Sequence, residues 1–499
     1  MTVSDSHSDS RRILRSTTLV GSVTLVTLVI GLMRTKAIAL VLGTEGIGLV
    51  GLFGSIMTMG TSIIGFGIYS SGVRQIAATA DDDAAARMSM RALWTLSFLL
   101  AVTGGILFWL LRYPITIYTT GSDRYVSQVG WIALGIAMSI LSGAFIASIQ
   151  GYRRMGDFAR AQLYGNVIGA IAGVASVIIF GETAVIAVVL IPPATACLFG
   201  YIYARRLPNR PSFGLSLNLL PIWKSLMHVG IAVTVSAMMG SATQIVARTI
   251  VVRMMGLDEA GLFQAAWTIS AVNIGLLLAA MSADYYPRLS AVSHDPSLMA
   301  EEVNRQVHVA LLLAGPLLIG VTAMAPVALW LLYSREFQGA AELLQWLTAA
   351  DILRLTGWAL GYVMLARQAT FSYIAIEASF GLVFIPAMLV LAPLVGLPAA
   401  GAAYFIGYLA CLAASMLLAR RVHGIHVSRA NVIWTGSLTL FLLSMIALYQ
   451  FNVVVAAVIG LLTALGLAIR SLGEISKMGV SIPMVSAAVT RGKAWLQRG

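Results

Sequence analysis

Apolar residues recur in long, nearly unbroken runs, and polar residues gather in the short gaps between them. Fourteen runs stand out, at about 16–42, 46–71, 88–111, 127–150, 159–180, 183–204, 224–255, 259–284, 303–332, 340–366, 371–394, 398–420, 431–450 and 453–470. A helix crossing the hydrocarbon of a bilayer needs about 20 predominantly apolar residues, and each run meets that need. None shows the period-two alternation of a barrel strand, and all are too long for one. The pattern predicts an all-α, polytopic membrane protein of about 14 transmembrane helices. Residues 1–15 are polar and no small-residue cleavage site follows the first run, so the first span is expected to stay as the insertion signal.

The runs repeat. Gly43 and Gly48 recur as Gly256 and Gly261, each pair bracketing an acid, Glu45 or Asp258. Arg74 recurs as Arg288, Gly151-Tyr152 as Gly361-Tyr362, Gly181 as Gly396, and Ala204-Arg205-Arg206 as Ala419-Arg420-Arg421. The expected organisation is two pseudo-symmetric six-helix lobes, 1–206 and 224–421. Six is even, so both insert the same way up, related by an axis along the membrane normal, and enclose a cleft that opens to either side. Between them lies a cytoplasmic linker, 207–223, in which Pro208, Pro211 and Pro221 forbid a continuous helix. An additional helix pair occupies 422–470. The segment 471–499 mixes Ile475, Met478 and Trp495 with Lys477, Arg491 and Lys493, as a cytoplasmic amphipathic basic tail would.

Composition agrees: 59% of residues are hydrophobic and only 10% are charged, against about a quarter charged in soluble domains. The net charge of +12 raises the question of nucleic acid. With the N-terminus in the cytoplasm, however, most Lys and Arg fall in cytoplasmic gaps, and only Arg112, Arg124, Arg253 and Arg335 fall outside. That is the positive-inside bias of a membrane protein, with no nucleic-acid partner implied. The two cysteines, Cys197 and Cys411, lie in apolar helices and read as small core residues.

Charge inside the runs carries the chemistry. Arg34, Lys36, Arg248 and Arg354 lie within apolar stretches, and Arg354 is central to its span. A cation at mid-bilayer costs roughly 2.5–3.5 kcal/mol on insertion scales, so it normally faces a cavity or a partner. Four cations against few acids point to an anionic substrate. Arg248 falls opposite Thr35 in the repeat, so both lobes carry cationic charge on their first helix at nearly the same depth. Simpler readings stay open: Arg34 and Lys36 could snorkel to an interface, and Arg354 could pair with Asp351 one turn earlier. Asp284 and Glu377 sit near cytoplasmic helix ends, where water could solvate them. Pro192, Pro193, Pro316, Pro326 and Pro386 interrupt spans and supply bends.

Enzyme signatures are absent. There is no phosphate-binding glycine loop with lysine, no HExxH and no paired Cys/His metal spacing. Asp81-Asp82-Asp83 is similar to the acidic metal motif of some transferases but reads as a solvated loop. No cofactor and no metal are expected.

Several stretches in order, across about 400 residues, resemble the Wzx-type lipid-linked oligosaccharide flippases of the multidrug/oligosaccharidyl-lipid/polysaccharide exporter superfamily. They are Lys36 through Leu42-Gly43-Thr44-Glu45-Gly46-Ile47-Gly48, Arg248 through Asp258-Glu259-Ala260-Gly261, Ala283-Asp284-Tyr285-Tyr286-Pro287-Arg288-Leu289-Ser290, and Asp351 and Arg354 through Gly361-Tyr362 and Arg367 to Glu377. The likeness is greatest to the branch acting on the enterobacterial common antigen lipid intermediate. It implies a multi-pass protein of the bacterial inner membrane. Its substrate would be undecaprenyl diphosphate carrying an O-antigen, common-antigen or exopolysaccharide unit, moved from the cytoplasmic to the outer leaflet. It implies cationic residues in a central cavity, matched by Lys36, Arg248 and Arg354, with Arg34 added by position. A polysaccharide polymerase and a chain-length regulator would be further partners. With no ATP site, energy would come from an ion gradient or the glycan gradient, with Asp351 and Glu377 as candidate coupling acids. Asp284 departs from the expected uncharged residue and receives no role. A related drug or cation exporter would want an acidic cavity, and a membrane polymerase or ligase would want large outer loops. A structural scaffold would need no intramembrane charge.

Overall fold

The computed structural model describes residues 3–208, 214 and 216–477. Asn209-Arg210-Pro211 of the expected linker, and the tail beyond Lys477, lie outside the described residues. Among those described, the protein is helical with no strand, and ten stretches are long and apolar enough to cross a membrane. Two of these, Gly21–Gly65 and Met155–Ala204, are 45 and 50 residues long. Each is more than two spans' worth of chain, and each contains a glycine in a positive-φ conformation. In α1 (Val3–Gly65) the break is Gly43, at φ 63 and ψ −163, which separates the first two expected runs. Gly181, at φ 58 and ψ −134, separates α6 (Met155–Phe180) from α7 (Val185–Ala204). Side chains other than glycine rarely adopt these angles.

The second expected run ends early. Phe66 and Gly67 both have positive φ, and a separate helix, α2 (Ile68–Thr79), follows and carries Arg74. Then come α3 (Asp83–Leu110), α4 (Arg112–Thr120), α5 (Val126–Gly151), α8 (Leu220–Met255) and α9 (Leu257–Ala291). The ninth run divides at Met324 into α10 (Pro296–Ala323) and α11 (Ala325–Leu332). The remaining runs are α12 (Ala341–Ala366), α13 (Thr370–Val395), α14 (Pro398–His423), α15 (Arg429–Phe451) and α16 (Val453–Lys477).

The repeat is legible in the backbone. Gly256, at φ 98 and ψ 177, ends α8 as Gly43 ends the first part of α1, and Gly396, at φ 74 and ψ −145, repeats Gly181. Both α3 and α10 are 28 residues long and capped by an aspartate in the same extended conformation. Asp82 accepts from the amides of Ala84 and Ala85, and Asp295 from those of Ser297 and Leu298. Asp82 therefore caps a helix. With the Ser297 hydroxyl added, the Asp295 carboxyl is held below the usual carboxylate range. Four helices of 26 residues, α5 and α6 against α12 and α13, complete the match. Their turns show that one sequence pairing is coincidental. Arg153 and Gln368 share φ 55, and Arg154 N bonds Ile149 O as Ala369 N bonds Met364 O. Gly151-Tyr152 thus corresponds to Ala366-Arg367, not to Gly361-Tyr362: glycine is common enough to give a chance match five residues off.

Two compact units emerge, one of residues up to Ala265 with Trp330–Phe337, the other of Ala266–Leu329 with the chain from Gln338 onward. In the first, Trp94 is buried at an edge-to-face distance of 4.6 Å from Phe145, and its indole donates to Ser148 Oγ at 3.0 Å. In the second, α12 packs on α10, α14 and α15, and α16 packs on α10. Asn304 ties α10 to the start of α15, accepting from Ser428 N at 2.6 Å while its backbone carbonyl accepts from Asn431 Nδ2 at 2.8 Å. The additional pair of helices is thereby fixed to the second unit. Outward faces carry Leu382, Leu394, Leu440 and Leu462, all largely exposed. Such a surface is unfavourable in water and ordinary in lipid.

Candidate functional site

Helical spacing aims three helices of the second unit at one cavity of about 220 Å³. Arg354, Trp358 and Tyr362 follow at intervals of four on α12. Tyr373, Glu377 and Phe380 follow at four and three on α13, as do Tyr404, Tyr408 and Cys411 on α14. All of these except Tyr404 line the cavity. Residues at these intervals share one face of a helix. The rings interlock: Phe380 lies 4.4 Å from Tyr408, Tyr408 4.8 Å from Tyr404, and Trp358 4.8 Å from Tyr362.

Arg354 is the cation of this cavity. Its side chain is 32% exposed, while Asp351, one turn behind, is fully buried. Arg354 Nη1 donates to the Tyr404 hydroxyl at 3.3 Å and lies 3.8 Å from Asp351 Oδ1, an ion pair too long for a hydrogen bond. Its guanidinium lies 5.5 Å from the centre of the Tyr408 ring, within cation–π range. Asp351 Oδ2 accepts from the Ser270 hydroxyl at 2.7 Å, and Oδ1 has no hydrogen-bond partner among the described residues. The arginine is therefore neutralised from behind but not saturated, with donors left to face the cavity. Glu377 is exposed on the cavity wall. Of the residues expected from sequence, Arg354, Asp351 and Glu377 come together here.

The other three lie in the first unit and make separate contacts. Lys36 Nζ donates to the Leu331 carbonyl at 2.6 Å, near the end of α11, where a positive charge is favoured. Arg34 is half-buried, with its methylenes near Gly173 of α6, and its Nε makes no hydrogen bond among the described residues. Arg248 is 7% exposed, and its Nη1 donates to the Gly51 carbonyl at 2.8 Å.

Beside Arg248, α1 and α8–α9 cross on a pair of repeat-related glycines. A Cβ on Gly48 would strike the Leu257 carbonyl oxygen, and one on Gly261 the Thr44 carbonyl oxygen. Thr44 Oγ1 donates to Asp258 Oδ1 at 2.5 Å across the same crossing. Sequence reasoning marked these glycines as repeat markers only. It missed Trp358, Tyr373, Tyr404 and Tyr408 because aromatic residues occur throughout the spans. Their three- and four-residue spacing beside Arg354 and Glu377 was the available signal.

Residues 37–342, more than half of the chain, match the family of polysaccharide biosynthesis proteins. A protein of Escherichia coli (strain K12) named lipid III flippase is 26% identical over 363 residues, which cover 71% of this chain and 86% of that relative. Among solved structures, the lipid II flippase MurJ in an inward closed conformation superposes with a TM-score of 0.68 at 13% identity. It covers 92% of this chain and 99% of its own. A MATE family multidrug resistance transporter of the MOP superfamily, facing inward, gives 0.67 at 16% identity, covering 80% and 94%. At such identities the structural likeness speaks for the fold alone.

Proposed function

We propose a function for a chain that belongs to the polysaccharide biosynthesis protein family: it moves an undecaprenyl-diphosphate-linked oligosaccharide from the cytoplasmic to the outer leaflet of the bacterial inner membrane. It is a transporter rather than an enzyme. The observation that carries the substrate's charge is Arg354, held in a membrane cavity with Asp351 sealed behind it and Glu377 on the same wall. A diphosphate in a low-dielectric site needs paired cations, and the planar guanidinium offers forked donors that match phosphate oxygens. Arg34, Lys36 and Arg248 are the further cations proposed to meet the diphosphate during the cycle. The prenyl chain stays in lipid while the head group crosses. A polymerase and a chain-length regulator are the proposed consumers of the product.

Coupling is assigned to Asp351, with Glu377 as the second acid. A proton on Asp351 would weaken its pull on Arg354 and free the guanidinium for phosphate; loss of the proton would return the arginine to the carboxylate and release the lipid. Asp351→Asn should therefore bind undecaprenyl diphosphate at least as tightly as the parent but transport without response to an imposed proton gradient. Gradient-driven transport at the parent rate by that variant would remove Asp351 from the coupling role. The aromatic lining favours a second reading, export of an organic cation, which Arg354 in the same cavity opposes.

The proposed cycle is alternating access by two lobes of six helices, with the N-terminus in the cytoplasm. Under it, the Gly48–Gly261 crossing, packed here, would part and re-form during each cycle. Cysteines placed in the Gly181–Glu182 turn and at Ser334–Glu336 should then react with an impermeant thiol reagent added outside intact cells, and one near Asn209 should not. Outside labelling near Asn209 would invert the topology.

A further inference from the structure

The charged cavity has a counterpart in the other repeat. The turns that fix the offset, with Arg153 and Gln368 at φ 55 and identical backbone hydrogen bonds, set it at 215 across these helices. Shifted by 215, Arg354, Trp358, Glu377, Tyr408 and Cys411 fall on Ser139, Gly143, Gln162, Pro193 and Ala196. Those five residues, with Tyr69 of α2, line a single cavity of about 280 Å³ in the first unit. The cavity is kept and its chemistry is changed. Arginine becomes serine, glutamate becomes the isosteric glutamine, and tryptophan becomes glycine, which leaves room where the ring stood.

No lining residue is charged, so the site offers a phosphate no counter-charge. It is not merely apolar either. The Gln162 amide has two donors and an acceptor, and the Ser139 and Tyr69 hydroxyls both donate and accept. Tyr69 now donates to Gln150 Oε1 at 2.5 Å and Ser139 to the Gly135 carbonyl at 2.8 Å. Polar groups at membrane depth are costly unless they find partners, and a lipid chain supplies none. Neutral groups that both donate and accept, around a space of this size, suit a ring bearing several hydroxyls.

We propose that this cavity is an uncharged sugar subsite, taking a pyranose ring of the glycan through the Gln162 amide and the Ser139 and Tyr69 hydroxyls. The proposal rests on the flippase reading. It assigns glycan preference to the first repeat and leaves diphosphate recognition to the cations.

The test uses the full chain in nanodiscs and two probes: bare undecaprenyl diphosphate, and the lipid-linked oligosaccharide that accumulates in the source strain when this chain is deleted. The parent should prefer the glycan-bearing lipid by about tenfold, the effect of a few hydrogen bonds. Gln162→Leu should bring that preference near unity while leaving affinity for the bare lipid unchanged, which also shows that the variant is folded. Ser139→Ala, a smaller change, should lower the preference part of the way, and Gly143→Trp, which refills the cavity as Trp358 does, should abolish it. Full retention of the preference in Gln162→Leu and Gly143→Trp would overturn the subsite, as would equal weakening of both lipids. If the parent binds neither lipid, the flippase reading falls and the subsite with it.

Discussion

Replacing Arg354 with alanine should abolish export of the lipid-linked glycan while the protein still reaches the membrane. Truncating one partner of a buried charge pair costs about 2–5 kcal/mol, or at least a thirtyfold loss of affinity for the diphosphate. Lysine should restore only part of the function, because an ammonium is a point charge without the guanidinium's fork. The alanine variant also leaves Asp351 fully buried and without its cation. An uncompensated buried charge destabilises by about 3–5 kcal/mol, so lower protein levels could mimic lost transport. The double variant Asp351→Asn/Arg354→Ala removes that charge. It should recover the protein level and still fail to export. Complementation of surface glycan with quantified membrane protein separates the two effects, and normal surface glycan in Arg354→Ala would sink the assigned role.

Gly261→Val should be nearly as damaging, for a reason unrelated to charge. Its Cβ would fall on the Thr44 carbonyl oxygen, and the pseudo-symmetric Cβ at Gly48 would fall on that of Leu257. Both obstacles are backbone, so no rotamer change relieves them and the helices must part. Overpacking of this kind costs about 1–3 kcal/mol even where side chains can yield. Closely crossing membrane helices depend on small residues at the contact. The variant should melt at least several degrees below the parent in detergent, and a cysteine at Glu45 should become more reactive to thiol reagents as the crossing opens. If the crossing closes in each cycle, transport is lost while diphosphate binding persists. Parent-like melting together with parent-like transport would show that this contact is dispensable.

Much of this architecture could be read from the sequence because the membrane imposes a simple rule. Long apolar runs become helices, and the glycines between them become breaks: Gly43, Gly181, Gly256 and Gly396 were all visible as repeat markers, and all have positive φ. What the sequence hid was local. The break at Phe66-Gly67 has no counterpart in the second copy, where α9 continues through Ala279 and Ala280. It occurs where Gly67 and Gly230 meet backbone to backbone, a tertiary contact with no sequence pattern of its own. Charge showed Arg354 because a cation in hydrocarbon is conspicuous. It also flagged Arg248, whose guanidinium donates to the Gly51 carbonyl. Neutral chemistry stays silent in sequence: Gln162 and Ser139 became visible only when turn geometry fixed the offset at 215 and set them opposite Glu377 and Arg354.

The central claim is that the chain carries a lipid-linked oligosaccharide across a bilayer by gripping its diphosphate. Its most direct test is reconstitution into liposomes loaded in one leaflet with the glycan-bearing undecaprenyl diphosphate, with appearance of the glycan in the opposite leaflet followed by lectin or glycosidase access. The parent should equilibrate the lipid between leaflets far faster than empty liposomes, Arg354→Ala should not, and an organic cation such as tetraphenylphosphonium should not be transported. Failure of the parent to move the lipid, or movement at the parent rate by Arg354→Ala, would contradict the account.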